Sequence, residues 1–254
     1  MKIYRYRRGK KIFYGVLKEE NLFPLRGSVF KHFQIEEKGV PISQVVLLPP
    51  SEPTKIVAVG VNYKNHALER GRTVPEEPLI FLKPPSALIG PSDIIIFPKM
   101  VKRVDYEGEL ALVIKKKTHL LQDDDRPEDY ILGFTCFNDV TARDLQEKDG
   151  QFTRAKSFDT FASAGPCIST DVDPSSLRLK TFLNGKLKQS ANTRNMIFPI
   201  PFLVKFISAI MTLYPGDIIT TGTPAGVGPM QPGDRVDVQI EGIGTLSNTV
   251  MKIK

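Results

Sequence analysis

The sequence predicts a β-rich α+β fold, and three observations carry that prediction. Apolar runs of strand length recur densely from Lys55 onward. The 254 residues include 20 prolines and 19 glycines, which interrupt the chain too often for many long helices. The few stretches with helical periodicity do not alternate regularly with strands, so a doubly wound parallel sheet is not expected.

Residues 1–50 read as a small N-terminal β domain. Strands are expected at 2–6, 11–17 and 44–48, punctuated by Gly9, Gly27, Gly39 and Pro41. Pro49-Pro50-Ser51-Glu52-Pro53 marks a boundary, because successive prolines cannot continue a ladder. Residues 51–254 form the second domain. Strands are expected there at 55–61, 79–83, 94–97, 106–114, 131–138, 177–183, 218–221, 235–240 and 245–252, and helices at 63–71, 141–148 and 200–212. Asn184-Gly185 between apolar residues is the signal of a primed hairpin turn.

Hydrophobic content of 41% and charged content of 25% are ordinary for a globular chain. No apolar run approaches the ~20 residues that span a bilayer, and Met1–Gly9 lacks the apolar segment of a signal peptide. Cys136 and Cys167 belong to no CxxC and read as buried thiols of a reducing compartment; a cytoplasmic location is expected. The formal charge of +7 raises a nucleic-acid reading, focused on Arg5, Arg7, Arg8, Lys10 and Lys11 interleaved with Tyr4 and Tyr6. The same pattern fits a hairpin turning at Gly9 with basic side chains guarding an edge strand. With no zinc-finger, RRM or helix-turn-helix signature, the hairpin is preferred. Neither nucleic acid nor membrane is an expected partner, and the excess charge would steer small anions.

The most informative stretch is Val104-Asp105-Tyr106-Glu107-Gly108-Glu109-Leu110-Ala111-Leu112-Val113-Ile114. Side chains two apart on a strand share a face, so Glu107 and Glu109 can aim at one point. Asp139 closes a second apolar run, 130–139. Carboxylates gathered among apolar residues need a counter-charge. With no Cys or His nearby, the set favours a hard cation, Mg²⁺ first, with Mn²⁺ or Ca²⁺ as substitutes.

His66 follows the first strand of the second domain, with Glu69 one helical turn on, where it can orient the imidazole. An exposed histidine at a helix start is the plainer alternative. Arg143 and Gln146 share a helix face after Asp139 and suit a ligand carboxylate or keto oxygen, although both fit a surface helix. Lys156, beside apolar residues, is either a buried cation aimed at an oxyanion or a strand-edge lysine. Thr223 offers a hydroxyl in a glycine-rich loop that is not a P-loop. Residues 71–78 have the composition of a mobile lid.

Six segments in this order resemble the fumarylacetoacetate hydrolase family: 59–69, Phe81-Leu-Lys-Pro-Pro85, 104–111, Phe137-Asn-Asp-Val-Thr-Ala-Arg-Asp-Leu-Gln146, Ala155-Lys-Ser-Phe-Asp159 and 216–228. The resemblance covers roughly residues 55–254, and the first fifty look like the short N-terminal domain of bacterial and archaeal members. It implies a mixed β-roll or sandwich catalytic domain that usually forms homodimers. It also implies a Mg²⁺ or Mn²⁺ site on Glu107, Glu109 and Asp139, a catalytic set of His66, Glu69 and Lys156, and substrate contacts at Arg143, Gln146 and Thr223. Gly108 stands where larger residues are also common.

The expected function is Mg²⁺-dependent hydrolysis of a C–C bond in a small acylpyruvate or 1,3-diketo acid. The same site could isomerise a 2-hydroxy-diene dioate or decarboxylate an oxaloacetate-type acid, in the breakdown of aromatic compounds. A basic nucleic-acid-binding module is the non-enzymatic alternative.

Overall fold

The computed structural model describes residues 1–69, 71 and 73–252. Arg70, at the end of the expected helix 63–71, and Arg72, in the expected lid, lie outside the described residues. The fold is built on a mixed sheet. Its main path runs Phe33–Ile35, Asn21–Gly27, Lys11–Lys18, Lys2–Arg8, Ala162–Ser169, Ile131–Asp139, Gly108–Ile114, Ile218–Thr220, Ile56–Gly60 and Leu79–Lys83. A second sheet orders Ile94–Phe97, Gly244–Lys252, Arg235–Ile240, Arg178–Leu183 and Lys186–Asn192. A small third sheet joins Thr141–Ala142, Val104–Tyr106 and Gly228–Met230.

The central strand Gly108–Ile114 is buried along its whole length. Alternation sends its side chains to two cores. Leu110, Leu112 and Ile114 share one with Val238, Ile240 and Leu246 of the second sheet and Leu203, Val204 and Ile207 of the helix Ile200–Ile210. Ala111 and Val113 join Ile56, Phe137 and Ile218 in the other. A strand covered on both faces reads as an uninterrupted apolar run. Pro201 sits in the first turn of Ile200–Ile210, where a missing N–H costs nothing.

The first fifty residues are stitched onto this framework. Lys2–Arg8 pairs with Lys11–Lys18 across the turn at Gly9, and on its other side with Val46–Leu47 and Ala162–Ser169. It is therefore an interior strand, not the guarded edge expected. Arg5 is buried against Glu52, and Tyr4 and Tyr6 are core residues. Only Arg7, Arg8, Lys10 and Lys11 are left as an exposed basic tip.

Several local readings change: Asn21–Gly27 adds an unexpected strand, and the strand expected at 44–48 shrinks to Val46–Leu47. The run expected as one strand, 106–114, breaks at Glu107, so Val104–Tyr106 and Gly108–Ile114 belong to different sheets. Lys156 ends a short helix, Thr153–Lys156, and is not on a strand edge. The strand Ala162–Ser169 was not expected, because Gly165 and Pro166 are poor strand formers; they lie beside a register shift in its pairing with Ile131–Asp139. Among the described residues no helix is long and apolar enough to cross a membrane.

Candidate active site

Glu109 lies on Gly108–Ile114, and Asp139 is the last residue of the neighbouring strand Ile131–Asp139. Gly108 pairs opposite Asn138, and the Asp139 amide donates to the Glu107 carbonyl at 2.9 Å. This register carries Glu107 back to the other two acids although the strand has broken. One carboxylate oxygen from each of Glu107, Glu109 and Asp139 lies within 4.8 Å of the others. All three are at most 5% exposed.

Gly108 is required by packing. A β-carbon there would stand 2.0 Å from Thr181 Oγ1, on the strand Arg178–Leu183. Its amide donates to Gln189 Oε1 at 3.0 Å, and its carbonyl accepts from the Thr223 hydroxyl at 3.0 Å. Gly222 meets a second constraint. Its φ of +90° suits glycine, and its amide donates to Glu109 Oε2 at 2.9 Å.

Three buried cations surround the acids. Lys156 Nζ donates to Glu107 Oε2 at 2.9 Å and also to Asp139. The Arg143 guanidinium spans Asp105, at 2.9 Å from Nε to Oδ2, Glu107 and Gln146. Lys83, fully buried, donates to Asp139 and to the Val140 carbonyl at 3.2 Å. Burial raises the Glu107 carboxyl, but Lys156, Arg143 and His66 outweigh it and hold the group well below its ordinary value. Burial lowers Lys156, yet Asp139 and Glu107 leave its ammonium above its usual range. For Lys83 burial wins over Asp139, and its pKa is pushed down to about 8.

Glu109 differs from its neighbours. Among the described residues no lysine or arginine pairs with it. Burial first, then the charges of Asp139 and Glu107, push its carboxyl well above the ordinary carboxylate range. The cluster is thus short of positive charge at Glu109. Three convergent carboxylates with that deficit fit a hard divalent cation. The Arg143–Glu107 pair does not close the site, since all three acids line an open cleft of about 230 Å³.

The cleft also takes in His66, Arg143, Gln146, Lys156 and Thr223, with Val59, Val61, Phe81 and Phe152 as its apolar wall. His66 Nδ1 lies 3.2 Å from Glu69 Oε2, and the other Glu69 oxygen accepts from the Gly226 amide at 2.9 Å. The helix Lys64–Glu69 is thereby tied to the glycine-rich loop. Val61, a β-branched residue at φ +57°, holds a strained conformation at the cleft wall. All nine residues singled out from the sequence meet here: eight line the cleft, and Glu69 reaches it through His66. A larger cavity of about 580 Å³ is lined by Ile131, Phe134, Met196 and Ile200 together with Glu128, Asp173 and Arg194, but among the described residues no three acids converge there.

Lys83, Asp105 and Gln189 were not assigned from the sequence. A lysine closing the apolar run Leu79–Lys83 and an acid two residues before Glu107 were the available signals. Gln189 offered none.

The model for the C-terminal domain of fumarylacetoacetate hydrolase matches residues 55–251, more than half of the chain. The chain belongs to the fumarylacetoacetate hydrolase family. A second model, the Rv2993c-like N-terminal domain, matches residues 1–50. The chain is 42% identical over 224 residues to the mitochondrial oxaloacetate tautomerase Fahd2a of Rattus norvegicus, covering 84% of this chain and 71% of that one. It resembles the solved 5-carboxymethyl-2-hydroxymuconate delta-isomerase of Mycobacterium smegmatis at 40% identity and TM-score 0.92, covering 100% of both chains. It also resembles the fumarylacetoacetate hydrolase of Exiguobacterium antarcticum at 34% identity and TM-score 0.88, again over 100% of both. The chain is an enzyme of this family, its buried acidic triad could bind a metal ion, and its strand-rich fold is the family's fold.

Proposed function

We propose that this enzyme acts on a small, enolisable 2-oxo carboxylic acid, moving a proton between carbon and oxygen beside the 2-oxo group. One observation carries the reading: three convergent acids share a cleft with two buried cations, Arg143 and Lys156, and a histidine–glutamate pair. Magnesium held by Glu107, Glu109 and Asp139 would supply Lewis acidity toward the acid's oxygens.

The chain's own groups do the rest. Arg143, fixed on one side by Asp105, presents a planar guanidinium to the carboxylate. Gln146, beside it, adds a donor amide. Lys156 sets a cation against the oxygen that gains charge, an effect worth about 3–4 kcal/mol at comparable sites. His66, oriented by Glu69, takes the proton from the carbon beside the 2-oxo group and delivers it to the 2-oxo oxygen, or carries it the opposite way. Phe81 and Phe152, packed edge to face with centroids 5.2 Å apart, exclude water from one wall.

The sequence put hydrolysis of an acylpyruvate first. The tautomerase and isomerase relatives, each at 40% identity or more, put proton transfer ahead of it. The His66–Glu69 pair keeps hydrolysis as the second reading, because it has the base and orienter needed to activate water.

The test is a Mg²⁺-supplemented panel of oxaloacetate, acylpyruvates and hydroxymuconate-type dioates, followed by NMR in D₂O. The proposal expects enzyme-dependent deuterium incorporation next to the 2-oxo carbon, abolished by chelation. Acylpyruvate cleavage without such exchange would favour hydrolysis. Inertness toward the whole panel would overturn both readings.

A further inference from the structure

The strand Gly108–Ile114 has a partner, Ile218–Thr220, that stops before the acids. The last backbone bond between them runs from the Thr221 amide to the Leu110 carbonyl at 3.0 Å. Asp139 N to Glu107 O lies on the opposite edge, so the Gly108 amide and carbonyl face the side where the partner has ended. Two side chains complete the ladder there. Gln189 Oε1 accepts from the Gly108 amide, and the Thr223 hydroxyl donates to the Gly108 carbonyl, both at 3.0 Å.

Backbone partners fix the orientation of the Gln189 amide. Its oxygen faces an N–H, and its nitrogen donates to the Pro224 carbonyl at 2.8 Å. The same nitrogen donates to Thr223 Oγ1 at 2.8 Å. A hydroxyl has one proton and two lone pairs. The Thr223 proton is committed to Gly108 O, and one lone pair is taken by Gln189. Turning the proton elsewhere would leave a buried carbonyl unpaired, at about 1–3 kcal/mol. Gln189 and Thr223 are 1% and 3% exposed, so water is a poor substitute.

We propose that Gln189 is a positioning residue that fixes the Thr223 hydroxyl as a hydrogen-bond acceptor toward the cleft. The position then recognises a protonated oxygen, the hydroxyl of an enol or 2-hydroxy acid, and discriminates against a bare carboxylate oxygen. The inference rests on the 2-oxo acid reading above and deepens it by naming the tautomer the site prefers.

The test is calorimetric titration of the Mg²⁺-loaded protein with glycolate, which carries a hydroxyl donor, and oxalate, which carries none. Thr223→Val is expected to weaken glycolate about 10-fold while oxalate stays within about twofold, the scale of one hydrogen bond. Thr223→Ser keeps the parent ratio. Gln189→Met, of similar length but apolar, removes one of the two partners that hold the Thr223 oxygen in place, so glycolate weakens while oxalate stays within about twofold, which a merely structural role would not do. This variant decides the matter alone if Thr223→Val does not fold. Equal weakening of both acids, or a greater loss of oxalate, overturns the inference and leaves the 2-oxo acid reading standing. Failure of the parent protein to bind either acid overturns that reading, and the inference with it.

Discussion

The ammonium of Lys83 donates to the carboxylate of Asp139 from a position with no exposure to solvent. Asp139 is one of the three acids that fit a divalent cation, so this lysine is the fixed counter-charge beneath the cleft. Stranding a buried charge outright costs about 3–5 kcal/mol, but Asp139 keeps Lys156 when Lys83 is lost, so the cost here falls below that range. Lys83→Met is expected to lower the melting temperature of the chelator-treated protein, and added Mg²⁺ to recover part of the loss. A melting temperature unchanged from the parent would show that the pair carries no such weight.

Proton release should accompany metal binding. The Glu109 carboxyl sits well above its ordinary value because of burial and the charges of Asp139 and Glu107. A folded-state pKa raised above the unfolded value stabilises below the unfolded value, and that stability is lost as pH rises through the folded one. The metal-free protein should therefore lose stability as pH climbs through that window, and Glu109→Gln should flatten the slope. Mg²⁺ needs the carboxylate, so at a pH below the one at which Glu109 ionises in the folded protein its binding should expel a proton. Titrations in two buffers of different ionisation enthalpy measure this; identical heats would contradict it.

His66 and Glu69 should separate chemistry from metal binding. His66→Gln is expected to cut turnover by about 10²–10⁴-fold and leave Mg²⁺ affinity unchanged. Glu69→Gln should cost less at the base, because the amide still reaches His66. It should also loosen the loop, since Glu69 holds the Gly226 amide. Steady-state kinetics with metal titration distinguish these effects.

Gly108→Ala tests the packing that brings the acids together. The new methyl would meet Thr181 Oγ1 at 2.0 Å, and overpacking of this kind costs about 1–3 kcal/mol. Among the described residues Thr181 Oγ1 has no hydrogen-bond partner although it is buried, so Thr181→Ala alone should be nearly neutral. The double variant should recover stability relative to Gly108→Ala. Denaturant melts of the four proteins close the cycle.

The legible part of the site was what local spacing controls. His66 and Glu69 are one helical turn apart, as are Arg143 and Gln146, and the structure keeps both pairs in contact. Glu107 and Glu109 converge as expected, but not as neighbours on one unbroken strand; the chain breaks at Glu107, and Gly108 packs closely against Thr181 and Gln189, far along the sequence. Lys83 finds Asp139 56 residues away, and Gln189 finds Gly108 81 residues away. No local pattern announces such pairs. In the N-terminal unit the hairpin at Gly9 was evident, whereas the interior place of Lys2–Arg8 depends on Ala162–Ser169, a strand disguised by glycine and proline.

The most direct test is to titrate Mg²⁺ or Mn²⁺ into the parent protein and Glu109→Ala while following turnover of an enolisable 2-oxo acid. The parent should bind one ion per chain, and Glu109→Ala should lose metal binding and turnover together. A Glu109→Ala protein that is metal-free and fully active would contradict the three-acid site.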